Sequence, residues 1–178
     1  MKIMLAGKKG SGKDAAASFL VRQYGGYKLS FAQPLYDMMY FCQKAVGIEP
    51  HKDRVFLTTM GDYFRAKDPN IFINVCMDKA YVIAKEANVY ITDGRYENEL
   101  NAGKNEGFYI IHLLAGNEVR QERRPGESVC DSHSSENGYP DDYHFHFTIT
   151  NDGSLEDLHK ALEGVVETIV KEGQHVIF

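Results

Sequence analysis

Gly7-Lys8-Lys9-Gly10-Ser11-Gly12-Lys13-Asp14 is the stretch of this chain whose residue types and spacing most directly imply chemistry. The interval from Gly7 to Gly12-Lys13 fits G-x-x-x-x-G-K. In that pattern glycines turn successive backbone N–H groups inward around phosphate oxygens, and the lysine reaches the outer phosphates. Lys13 is that lysine, and Asp14 stands where the usual pattern has a Ser or Thr hydroxyl for Mg²⁺. The same residues also fit a plain glycine turn between a strand and a helix, with Lys8, Lys9 and Lys13 in solvent.

Two further groups of residues have chemical potential. Asp93-Gly94-Arg95 follows the apolar run 89–92, and in a parallel sheet ligands lie at the carboxyl ends of strands. An Asp there can hold Mg²⁺ through water and an Arg can grip a phosphate bidentately; a turn Asp beside a surface Arg is the plain alternative. Arg120, Arg123 and Arg124 fall within five residues. They could close over phosphates and stabilise a transferred phosphoryl group, with Arg120 and one of the other two sharing a helix face toward the site. Glu118 and Glu122 would instead offset them in a solvated helix end. His133, His144 and His146 among acidic residues complete no ligand set with structural-zinc spacing.

These groups need elements to hold them, and the pattern supplies a βα alternation. A strand over 3–6 feeds the glycine loop, and a helix runs from it to about residue 24, closed by Gly25-Gly26. A strand over 27–31 follows. Ala32-Gln33-Pro34 opens a second helix, with Leu35, Met38, Met39 and Cys42 at helical spacing. Residues 52–67 form an amphipathic helix despite Gly61. Residues 71–86 form another, apolar enough to be largely buried.

After the strand ending at Thr92, a helix over 96–105 carries Glu97, Glu99 and Lys104 on a solvated face. Strands over 108–114 and 143–149 come next, the latter placing His144 and His146 on one sheet face. Ser154, with Asp157 at the third position, caps a last helix whose core face is Leu155, Leu158, Leu162, Val165, Val166 and Ile169. The tail, 174–178, reads as a short edge segment.

The 178 residues suit one domain, 1–178, with a core large enough to need neither disulfides nor metal. A net charge of −5 disfavours stable binding to nucleic acid or anionic membrane, so an anionic ligand must be held by local basic clusters. Three widely spaced cysteines, Cys42, Cys76 and Cys130, point to a reducing cytoplasm. No stretch has the length of a signal peptide's apolar region or a membrane span.

Taken together, the motifs resemble the phage-type deoxynucleoside monophosphate kinases of the P-loop kinase superfamily. The resemblance rests on Gly7 to Asp14, Phe31-Ala32-Gln33-Pro34-Leu35, Arg54 through Gly61 with Asp68-Pro69, Asp93-Gly94-Arg95 with Asn98-Glu99, Arg124-Pro125-Gly126, His133-Ser134-Ser135-Glu136, and Ile149 to Leu155. Where the family has a Leu-Gly-Thr step, this chain has Met60-Gly61-Asp62.

The resemblance implies a three-layer α/β P-loop kinase fold: a mainly parallel five-stranded sheet, helices on both faces, acceptor-binding helices over 33–86 and a lid over 116–142. It implies ATP-dependent phosphorylation of a (deoxy)nucleoside monophosphate with Mg²⁺. Gly7, Lys9, Gly10, Ser11, Gly12, Lys13, Asp14, Ala15, Asn151 and Gly153 would bind ATP. Phe31, Pro34, Leu35, Arg54, Arg65, Arg95, Glu99, His133 and Glu136 would bind the acceptor. Lys13, Asp93, Arg120, Arg123 and Arg124 would be catalytic, with Asp14 and Asp93 holding Mg²⁺ through water. The expected setting is cytoplasmic, the host cytoplasm if the chain is phage-encoded, and a homodimer stays open. The rival readings are a P-loop kinase for another small acceptor, such as dephospho-coenzyme A, and a non-catalytic nucleotide-binding module.

Overall fold

A computed structural model describes residues 1–125 and 138–173. Five strands, β1 (Lys2–Ala6), β2 (Tyr27–Leu29), β3 (Val89–Gly94), β4 (Tyr109–Leu114) and β5 (Phe147–Thr150), form one sheet in the order β2-β3-β1-β4-β5. Every neighbouring pair is parallel. Seven helices are described: α1 (Lys13–Tyr24), α2 (Gln33–Ala45), α3 (Arg54–Lys67), α4 (Ile71–Ile83), α5 (Glu97–Asn105), α6 (Asn117–Glu122) and α7 (Leu155–Lys171).

The central strands are continuous apolar runs because helices cover both of their faces. Ile3, Leu5, Tyr90, Ile111 and Leu113 point to one face and pack against Ala16, Phe19 and Leu20 of α1 and Leu158, Leu162, Val166 and Ile169 of α7. Met4, Ala6, Val89, Ile91 and Ile110 point to the other, against Leu35 of α2, Phe72, Cys76 and Ala80 of α4, and Leu100 of α5. The chain runs outward from β1 to β2, returns to β3, then crosses to β4 on the far side of β1. That reversal opens a crevice at the carboxyl ends of β1 and β3, where the glycine loop and Asp93 both emerge.

Several elements depart from the sequence pattern. β2 stops at Leu29 because the next residues turn onto Asp93, whose Oδ1 accepts from the Phe31 N–H at 2.9 Å. β5 begins only at Phe147. Ahead of it, the Ile110 N–H donates to His146 Nδ1 at 2.9 Å, an imidazole taking the place of a ladder carbonyl, so His144 and His146 do not share a sheet face. Burial, followed by Lys104, lowers the His146 pKa, in keeping with a ring that accepts here.

α4 is buried on one side only, with Tyr81 and Val82 each 64% exposed. On α2 it is Gln43 that is buried, not Cys42, and its amide pairs with the N–H and C=O of His51, each at 3.0 Å. Leu155 stands 62% exposed in the first turn of α7, ahead of the buried stripe. The Ser154–Asp157 capping box forms as expected, with the Asp157 N–H donating to Ser154 Oγ at 3.2 Å. No helix among the described residues is long and apolar enough to cross a membrane. Residues 174–178 lie outside the described part.

Asn88 brackets the sheet edge away from the crevice. It is fully buried, its Nδ2 donates to the Tyr24 carbonyl at 2.6 Å, and its Oδ1 accepts from the Met1 amine at 2.8 Å. Its carbonyl also accepts from the Tyr27 N–H at 2.9 Å, so one residue joins the ends of α1, β1 and β2. Asn88→Ala orphans two buried polar groups and should cost about 1–3 kcal/mol. The expected result is a lower urea midpoint at unchanged slope; an unmoved midpoint would show that the bracket contributes nothing.

Candidate active site

The glycine loop owes its shape to the elements behind it. Gly7, Gly10 and Gly12 all have positive φ, at 140°, 83° and 100°. At all three a neighbour crowds the place of a side chain, and at Gly7 a Cβ would overlap the Leu113 carbonyl. A Cβ on Gly12 would overlap Asn151 Nδ2, and one on Gly10 would sit 3.1 Å from the Arg120 carbonyl. Asn151 is buried, donates from Nδ2 to the Ser11 carbonyl at 2.9 Å, and donates from its backbone N–H to the Leu114 carbonyl at 2.6 Å. The turn after β5 is thereby tied to the end of β4 and to the loop. Lys13 is buried, and its Nζ lies back over the loop, donating to the Gly7 carbonyl and, at 3.0 Å, to the Lys8 carbonyl.

The three arginines of the basic stretch divide their work, against the expectation that Arg120 shares a site-facing side with a neighbour. Arg120 is 2% exposed and sits behind the loop, with Nη1 donating to the Lys9 carbonyl at 3.2 Å and Nη2 to Asn117 Oδ1 at 2.6 Å. It does not line the crevice, whereas Arg123 and Arg124 do. Arg123 donates to the carbonyls of Asn151 at 2.8 Å and Gly153 at 3.2 Å, fastening the end of α6 to the turn before α7.

Two carboxylates shape the other side of the crevice through backbone amides. Asp93 Oδ2 accepts from Ser30 Oγ at 2.6 Å and the Ala32 N–H at 3.0 Å, while Oδ1 takes the Phe31 N–H. It therefore clasps the entry to α2, at the wall of the crevice. Glu99 was expected on a solvated face, yet it is 3% exposed. Its Oε2 accepts from the Arg95 N–H at 2.9 Å and the Tyr96 N–H at 3.1 Å, because a third-position carboxylate can reach back to the orphan donors that start a helix. Burial, and then the neighbouring Asp93, pushes its pKa up to about 7, against the pull of those two N–H bonds and of Arg65. Gly138 closes on the same turn: its carbonyl accepts from the Glu97 N–H at 2.8 Å, and a Cβ there would overlap the Arg95 carbonyl.

These groups line a single cavity of about 680 Å³, running from Lys9, Gly12 and Lys13 past Asp93 to Arg54, Arg65, Arg95 and Glu99. Eight basic side chains and four acidic ones face it, although the chain as a whole carries −5. The cavity thus carries a local excess of basic side chains and is of a size suited to small molecules. Gly61 has a specific use in this wall. A Cβ there would lie 2.8 Å from Arg65 Nη1 and 3.4 Å from Leu35 Cδ1, so the bare backbone lets Arg65 fold back across α3. The Arg65 guanidinium then rests 5.1 Å from the Phe72 ring centre and 4.8 Å from that of Tyr96.

Of the other expected site residues, Gly10, Asp14, Ala15, Phe31 and Leu35 also line the cavity. Pro34 sits in the first turn of α2 beside a smaller cavity of about 190 Å³. Gly7 and Ser11 belong to the loop without lining the cavity, Asn151 fastens it from outside, Gly153 accepts from Arg123, and His133 and Glu136 lie outside the described residues. Ser30, Tyr36, Lys52, Thr58, Asp62 and Tyr96 line the cavity without having been expected there. The spacing of Thr58 and Asp62, one and two turns beyond Arg54, was the available signal. Among the described residues no group of three His, Cys, Asp or Glu side chains is arranged to hold a metal ion. His112, beneath the loop, is driven down to about 4 by burial and then by Lys13, so its ring is neutral near pH 7.

No family model matches the chain. "Uncharacterized protein ORF77" of Ictalurid herpesvirus 1 (strain Auburn) is 30% identical over 139 residues, covering 74% of this chain and 59% of that protein. The chain therefore spans less than two thirds of that relative. A protein of Acanthamoeba polyphaga mimivirus named "Putative deoxynucleotide monophosphate kinase" is 25% identical, over 93% of this chain and 95% of its own. Among solved structures, shikimate kinase from Aquifex aeolicus vf5 superposes with a TM-score of 0.53 at 19% identity, covering 97% of this chain and all of that one. The Mycobacterium tuberculosis APS kinase CysC, in complex with AMPPNP and APS, gives 0.55 at 14% identity, covering 93% and 97%. Likeness at this level is likeness of fold: the chain has the three-layer α/β fold of the P-loop kinases, with its sheet parallel throughout.

Proposed function

We propose that this chain is an ATP-dependent nucleoside monophosphate kinase, transferring the γ-phosphoryl group of ATP to the phosphate of a (deoxy)nucleoside monophosphate. The observation that carries the reading is the single cavity shared by the glycine loop, with Lys13, and by Arg54 and Arg95, which come from distant segments. Two guanidinium groups have a use together if one phosphate lies between them. The name of the mimivirus relative points the same way, and it covers nearly the whole chain.

In this reading the loop amides cradle the donor phosphates, and Lys13 Nζ exchanges the Gly7 and Lys8 carbonyls for phosphate oxygens. Arg54 and Arg95 hold the acceptor phosphate and screen its repulsion from the donor. Glu99 positions Arg95 by taking its N–H. Arg123 and Arg124, at the edge of the cavity, supply positive charge where the transferred group develops it. The γ-phosphorus bonds to an acceptor phosphate oxygen as its bond to the β-phosphate oxygen breaks, leaving ADP. The second ionisation of a phosphate monoester falls near pH 6, so the acceptor oxygen needs no general base.

The residues present fit Mg²⁺. Asp14, Asp93 and Ser30 bring oxygen ligands to the wall that carries Lys13, and through water they would hold the ion, which supplies charge neutralisation at the phosphates.

The direct test is ADP release with a panel of nucleoside monophosphates. Lys13→Ala should lower kcat by about 100-fold or more while leaving the melting curve in place; near-normal turnover would remove the loop from the mechanism. Arg54→Lys and Arg95→Lys retain charge and lose the fork. Each should raise KM for the monophosphate, leave KM for ATP unchanged, and combine non-additively. A rise in KM for ATP instead would move Arg95 to the donor side.

Glu99 offers a test through stability. Between its unfolded pKa of about 4.3 and its folded value of about 7, the folded state binds the extra proton. This residue therefore makes the protein less stable as pH rises through that window. Glu99→Gln keeps an oxygen for the Arg95 and Tyr96 N–H groups and removes that slope. Urea midpoints at about pH 5 and pH 8 should show the variant gaining on the wild type toward pH 8; parallel profiles would mean that Glu99 ionises normally.

A further inference from the structure

The acceptor half of the cavity contains one carboxylate that the fold does not use. Asp93 is occupied by Ser30, Phe31 and Ala32, Glu99 by the amides of Arg95 and Tyr96, and Asp14 lies beside Lys13 in the first turn of α1. Asp62 lines the same cavity, is exposed, and takes no hydrogen bond or ion pair from any described residue. A carboxylate in a cavity otherwise dominated by cations repels phosphate. It favours a ligand only where the ligand presents N–H donors, since an ionised carboxylate accepts and cannot donate.

Position along α3 says which part of a nucleotide that would be. Arg54, Thr58, Asp62 and Arg65 follow one another at three- and four-residue spacing and all line the cavity. Arg54 and Asp62 are eight residues apart, about 12 Å along a helix axis, comparable to the span from the phosphate of a nucleotide to the edge of its base. If Arg54 holds the phosphate, Asp62 meets the base edge. Arg65, one turn further, has its guanidinium held between Phe72 and Tyr96.

We propose that Asp62 reads the base and that the acceptor is a guanine nucleoside monophosphate, an inference that rests on the kinase reading above. Guanine presents two adjacent donors, N1–H and the 2-amino group, to the two oxygens of Asp62, with O6 beside them as an acceptor for Arg65. Adenine and cytosine set a single amino group beside a ring lone pair, and thymine flanks one N–H with two carbonyls. Each of these brings a lone pair against the carboxylate and leaves it under-satisfied.

The test is kcat/KM for dGMP, dAMP, dCMP and dTMP with the wild type, Asp62→Asn and Asp62→Ala, each variant being at an exposed position. The wild type should favour dGMP, and both variants should lower the dGMP preference by about 10- to 100-fold, chiefly through KM for the acceptor, with KM for ATP unmoved. Turnover of nucleotides without a guanine preference, or a preference that survives both substitutions, overturns the role of Asp62 and leaves the kinase reading standing. No turnover with any of the four overturns both.

Discussion

The hydrogen bond from the Asn151 amide to the Ser11 carbonyl joins the turn after β5 to the glycine loop after β1. A glycine loop is a poor structure by itself, since each glycine adds conformational freedom that folding must remove. Here the freedom is removed from outside. Asn151 fills the space over Gly12, the backbone of Arg120 closes on Gly10, and the Arg120 guanidinium takes the Lys9 carbonyl. On the proposed reading, a loop held this firmly offers preorganised donors, the form in which electrostatic stabilisation of a transferred phosphoryl group is most effective.

The opposite wall of the cavity is built by a different device. Asp93 and Glu99 are carboxylates in a cavity with eight basic side chains, yet both are used to hold backbone N–H groups. Asp93 at the end of β3 fixes the turn into α2, and Glu99 fixes the turn into α5 that carries Arg95. Two adjacent chain reversals are thereby set by side chains from one βα unit. The Asp93 charge then contributes to holding the Glu99 proton, so the two clasps are coupled electrostatically as well as through the chain.

Much of this was legible in the residues. The apolar strands, the glycine loop, the Gly25-Gly26 stop and the Ser154 cap are local signals with local causes, and they place the sheet and the donor side. What stayed hidden depends on partners far along the chain. Glu99 falls on a polar stretch of α5, and periodicity does not register that the first amides of a helix need an acceptor. Arg120 looks like its neighbours Arg123 and Arg124 until the loop carbonyl it serves, 111 positions away, is in place. His146 fits a strand pattern, but its imidazole has replaced the backbone group such a pattern assumes. His133 and Glu136, expected at the acceptor, fall outside the described residues.

The only buried residue of α3 is Gly61; Leu57, Met60 and Phe64 touch the core but remain partly open. The helix that lines more of the cavity than any other thus has only a small share in the buried core. Substitutions along its cavity face should therefore cost less stability than substitutions at Lys13, Arg120 or Asn151, whose side chains are buried and hydrogen-bonded to the glycine loop. A chain built this way can vary along one surface of one helix while the loop and its fastenings stay fixed.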